Sequence, residues 1–149
     1  MIKDVFPGIM YGLVSTAIMS VFMMLYVMMG YAPLPAQFPF MVIKAMFYPI
    51  DSVFLLVTIT ILAHFVYGSF CSAVFVSLFP EGRLGSGIGW GVFLWVVMNI
   101  VRLPFIGMSY YSPTLIPNVA FITLLFHLIY GTTLGYLCSK RLGNMVKNE

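Results

Sequence analysis

The chain has 149 residues, of which 62% are hydrophobic and 7% charged, with a formal net charge of +3. Soluble domains carry roughly 25% charged residues, and a soluble chain this apolar could not cover its surface with polar groups. The expected class is a polytopic, all-α membrane protein forming a single transmembrane domain over residues 1–149. The scattered basic residues offer no patch for nucleic acid.

A spanning helix needs about 20 mostly apolar residues. The first such run covers about Gly8–Met29. It exceeds the roughly 7–15 apolar residues of a cleavable signal, and no A-x-A site follows, so a retained helix is expected. A long connection over residues 31–51 comes next. Its first part, APLPAQFPF, has three prolines and is read as irregular. Its second part, MVIKAMFY, reads as a short interfacial helix with Lys44 reaching toward water, or as a lid over the interior. The second span is expected over 52–78, with Asp51 as its cap or first-turn acid. The third covers about 87–107 and the fourth about 119–137, before a basic tail from Ser139. Lipid cannot satisfy backbone polar groups, so these runs must be helical.

Orientation follows from Lys and Arg. Lys3, Arg83, Lys140, Arg141 and Lys147 fall on one side of this arrangement, and Lys44 and Arg102 on the other. The excess places both termini in the cytoplasm, in a multi-pass protein of the cytoplasmic (plasma) membrane. Tyr31, Phe38, Phe40, Tyr48, Tyr110 and Tyr111 then form an outer aromatic belt, and Arg102 snorkels outward.

The pattern H-x-x-Y-G occurs twice, and the chain's two histidines, His64 and His127, both sit in it. At an offset of 63, His64, Tyr67, Gly68 and Ser72 match His127, Tyr130, Gly131 and Gly135. At an offset of 79, Tyr11-Gly12, Met19 and Ser20 match Trp90-Gly91, Met98 and Asn99. The reading is a four-helix bundle of two parallel copies of one helical hairpin. Small residues one turn apart, as in Gly12-x-x-x-Thr16-x-x-x-Ser20, Gly68-x-x-x-Ser72, Gly87-x-x-x-Gly91 and Gly131-x-x-x-Gly135, let membrane helices approach closely.

An ionisable side chain at mid-span must face protein. Three readings of the histidines compete. In the first they are structural, hydrogen-bonded to a Tyr hydroxyl, to Ser20 or Asn99, or to a neighbouring backbone carbonyl. In the second, two histidines at equal depth are axial ligands of a haem b. In the third they bind copper together with Met or Cys, of which there are twelve and two. The cysteines, Cys71 and Cys138, otherwise read as small buried hydrophobes. Asn99 is a further interhelical hydrogen bonder. No Asp or Glu lies inside a span, which argues against a proton-coupled pump. No catalytic constellation, P-loop or H-E-x-x-H site is present, so an autonomous enzyme is not expected.

The segments GLVSTAIMS and HLIYGTTLG resemble those of a family of small, uncharacterised four-helix integral membrane proteins, many of them archaeal. The resemblance implies the bundle and no activity. Two functions from different classes fit these observations. One is a non-catalytic subunit or accessory protein of a larger membrane complex, of the respiratory oxidase or membrane monooxygenase type, with lipid and other membrane subunits as partners. The other is a small haem- or quinone-binding redox bundle using His64 and His127.

Overall fold

The structure is a computed structural model. It describes the backbone of residues 2–31, 38–105 and 116–146, and the side chains of 6–31, 39–100 and 119–141. The described residues are all-helical, without strands: α1 (Ile2–Met28), α2 (Phe38–Met46), α3 (Val53–Leu78), α4 (Leu84–Phe105) and α5 (Ile116–Val146). Phe6–Met28 of α1, the whole of α3 and Val119–Arg141 of α5 are long and apolar enough to cross a membrane. Helix α4 is apolar over Leu84–Ile100.

The helix ends have local causes. Just past the end of α1, Gly30 donates its N–H to the Val27 carbonyl at 3.0 Å, and its φ of +76° turns the chain out of the helix. Ser52, rather than Asp51, caps α3: its Oγ accepts from Leu55 N at 3.4 Å. Helices α4 and α5 each start three residues earlier than the sequence reading, at Leu84 and Ile116, and three other boundaries differ more instructively. Helix α1 starts at Ile2, ahead of the expected Gly8, and carries Pro7 inside it. Phe38-Pro39-Phe40 opens α2, where a proline in the first turn has no N–H to lose. Helix α5 continues through Lys140 and Arg141, since both are good helix formers with long stems.

The four long helices pack as two close pairs, α1 with α3 and α4 with α5, and the pairs meet chiefly along α1 and α5; α2 rests on α3. Neighbours run antiparallel. Gly8 near the start of α1 meets Val76 near the end of α3, and Gly82, before α4, meets Cys138 near the end of α5. The core gathers Met19, Cys71, Phe75, Leu94, Tyr130, Leu134 and Cys138. Cys71 and Cys138 are both buried thiols, as expected of small apolar residues. Trp90 adds contact between α3 and α4, its ring 6.0 Å from Phe75 and 6.3 Å from Phe79. Lys44 is exposed in the last turn of α2 while its neighbour Ile43 is buried. Tyr31 and Tyr48 are exposed, and Phe40 is half-buried. The side chains of Phe38 and Arg102, and Tyr110 and Tyr111 altogether, lie outside the described residues.

Candidate functional site

The glycine stripes set the spacing of both helix pairs. Between α1 and α3, a Cβ added to Gly12 would stand 2.7 Å from Ser69 Cα and from Ser72 Cβ. A Cβ on Gly68 would collide with the Thr16 hydroxyl. Between α4 and α5, a Cβ on Gly91 would meet the His127 carbonyl oxygen, one on Gly131 the Gly87 carbonyl, and one on Gly87 the Gly135 backbone 2.6 Å away. A Cβ has no room at these points, so the helices approach closely, backbone on backbone between α4 and α5 and with the Thr16 side chain seated on Gly68 between α1 and α3. Ser72 stands where the other pair has Gly135, and its Oγ donates to the Gly8 carbonyl at 2.6 Å.

The polar candidates divide by where their bonds go. Tyr130 crosses between the pairs, its hydroxyl donating to Gly68 O at 2.6 Å. Asn99 Nδ2 donates to Trp95 O on its own helix at 2.8 Å. His127 Nδ1 lies 2.7 Å from Thr123 O, also on its own helix. A carbonyl oxygen only accepts, so Nδ1 carries the proton and the imidazole lone pair sits on Nε2. Ser20 Oγ is buried without a hydrogen-bond partner.

Both histidines and both tyrosines of the H-x-x-Y-G pattern line one cavity of about 60 Å³ between the two helix pairs. Each long helix contributes: Thr16 and Met19 from α1, His64 and Tyr67 from α3, Met98 from α4, and His127 and Tyr130 from α5. Pro39 of α2 also reaches the cavity. Met23, Pro39 and His64 are shared with a larger groove of about 590 Å³ beside Met24, Val57 and Thr60. The interhelical cavity is mostly apolar, with hydroxyls and imidazoles as its polar points. Ligand pockets for drug-sized molecules run to roughly 300–1,000 Å³. A space of about 60 Å³ exceeds the roughly 10–15 Å³ needed to admit one water and suits a few small species such as waters or a single ion.

Two residues at the site were missed in the pattern. Thr60 and Thr123 each stand four residues before a histidine, so the full repeated string is T-x-x-x-H-x-x-Y-G. Their hydroxyls make matching bonds, Thr60 to Leu56 O and Thr123 to Val119 O, both at 2.7 Å. Thr123 Oγ1 also accepts from Trp95 Nε1 at 3.2 Å, tying α4 to α5. The spacing was visible, but threonine in an apolar helix carries no chemistry that draws the eye.

Compared with known protein families, curated proteins and solved structures, the chain matches none.

Proposed function

We propose that this chain is a multi-pass protein of the plasma membrane, a four-helix bundle built from two copies of one hairpin with both termini in the cytoplasm. In it we see a non-catalytic subunit or accessory protein of a larger membrane complex, of the oxidase or monooxygenase type. Kinship with the small archaeal-rich family rests on the GLVSTAIMS and HLIYGTTLG segments. The duplication is supported by the matched glycine contacts and the matched threonine bonds.

The observation that carries the subunit reading is how little of α3 the chain itself covers. Only 17% of its apolar window is buried, and Phe54, Leu62, Val66 and Phe70 are exposed by 62% or more. A face this apolar needs lipid or another protein against it. Isolation distinguishes the two. Extraction from native membranes with a gentle detergent is expected to yield the chain in a stoichiometric complex, read by native electrophoresis and peptide mass analysis. Recovery of a free monomer alone overturns the reading.

A second reading follows from the cavity that His64 and His127 share: a redox bundle with a cofactor between the histidines. The volume of about 60 Å³ weighs against a haem or a quinone there. A haem absorption band lost on His64→Ala or His127→Ala would restore the haem version.

A further inference from the structure

We propose that the cavity between the helix pairs binds one monovalent copper ion through the imidazoles of His64 and His127 and the thioethers of Met19 and Met98. Each of the four long helices supplies one donor: Met19 from α1, His64 from α3, Met98 from α4 and His127 from α5. The donors fall into the two matched pairs of the repeated pattern, at offsets of 63 for the histidines and 79 for the methionines. Methionine is an ordinary filler of apolar gaps, but gap filling does not require that both matched pairs converge on one space.

The chemistry selects the ion. Thioether sulfur is a soft donor that suits Cu(I), and imidazole nitrogen binds copper well. Among the described residues, no three His, Cys, Asp or Glu side chains stand close enough together to hold a metal ion by themselves, so harder divalent ions lack their usual ligands. All four proposed donors are neutral. A bound Cu(I) therefore leaves a single positive charge in a low-dielectric interior, where a divalent ion would leave two at far greater desolvation cost. The volume of about 60 Å³ accommodates an ion.

The support around His127 fits the same role. Metal-binding histidines characteristically donate their second ring N–H to a carbonyl or carboxylate, which fixes the tautomer and aims the ring. His127 does so to Thr123 O at 2.7 Å, which makes Nε2 the ligating atom. Thr60 stands at the same spacing before His64. Cys71, another soft donor, lines the same cavity and must be separated from the proposed set.

The test uses the full chain, purified in detergent and titrated anaerobically with Cu(I) against a chromophoric Cu(I) chelator. One equivalent per chain is expected to be held, and Zn(II) is not. Because Met→Leu keeps the side-chain volume, the paired variant M19L/M98L is expected to keep its melting temperature. Its Cu(I) affinity is expected to fall by at least the roughly tenfold that loss of even a supporting contact costs at metal sites. H64A and H127A are each expected to lose the ion, with X-ray absorption of the parent protein showing both N and S scatterers. The proposal is overturned if the chelator strips the parent protein, if M19L/M98L binds as the parent does, or if only C71S loses the ion. The isolated chain suffices for these measurements, so failure here leaves the subunit reading standing.

Discussion

Tyr130 donates its hydroxyl proton to the carbonyl oxygen of Gly68 across 2.6 Å, a side-chain bond that crosses from one helix pair to the other. The glycine matters twice. Without a Cβ it lets Thr16 close against α3, and its carbonyl serves as acceptor for a tyrosine arriving from α5. Tyr130→Phe is expected to keep the fold and loosen the junction of the pairs. Interhelical hydrogen bonds in membranes average about 0.6 kcal/mol, so the loss should be of that order, read by reversible unfolding in mixed micelles.

The glycines divide into two groups that a simple scan separates. Gly91→Val places a branched side chain into the His127 carbonyl, and Gly131→Val into that of Gly87. Both are expected to force α4 and α5 apart and leave little folded protein by size-exclusion chromatography. Gly89→Ala and Gly85→Ala meet nothing within 4 Å and should be recovered at parental yield.

Two serines donate short bonds to backbone carbonyls with different consequences. Ser72 Oγ bonds the Gly8 carbonyl across the α1–α3 contact at 2.6 Å, whereas Ser77 Oγ bonds Ala73 O on its own helix at 2.8 Å. Ser72→Ala should lower the midpoint of unfolding, by about 0.5–1.5 kcal/mol. Ser77→Ala should leave the midpoint unchanged. An equal effect of the two would mean that the α1–α3 contact does not rely on this bond.

Burial also separates the apolar residues by the solvent they face. Leu134 is completely buried, and Leu134→Ala should cost about 2–5 kcal/mol. Val66 lies at the middle of α3 and is 68% exposed. In water Val66→Asp would be harmless. In a bilayer an acid at this depth costs about 2.5–3.5 kcal/mol of insertion free energy. The inserted fraction of α3, measured by glycosylation mapping, is therefore expected to fall sharply for Val66→Asp. An unchanged fraction would argue that this face does not contact lipid.

Helix content and the stripes that bring helices together were legible in the residue pattern. Long apolar runs admit little but helix, and glycines four apart can be recognised without coordinates, as Gly87, Gly91, Gly131 and Gly135 illustrate. Boundaries were less legible. Proline at 39 and the basic residues at 140 and 141 look like punctuation, yet a first-turn proline and long-stemmed cations both suit a helix.

The residue pattern leaves open, among competing readings, which side chains meet. The two H-x-x-Y-G strings lie 63 residues apart, and nothing local says that their histidines share a cavity. Nor does it say that Tyr130 reaches Gly68 rather than a partner on its own helix. Composition and period decide secondary structure and solvent class because those are sums over neighbouring residues. The cavity is decided by how closely four separate helices approach, which depends on backbone contacts between residues far apart in the chain.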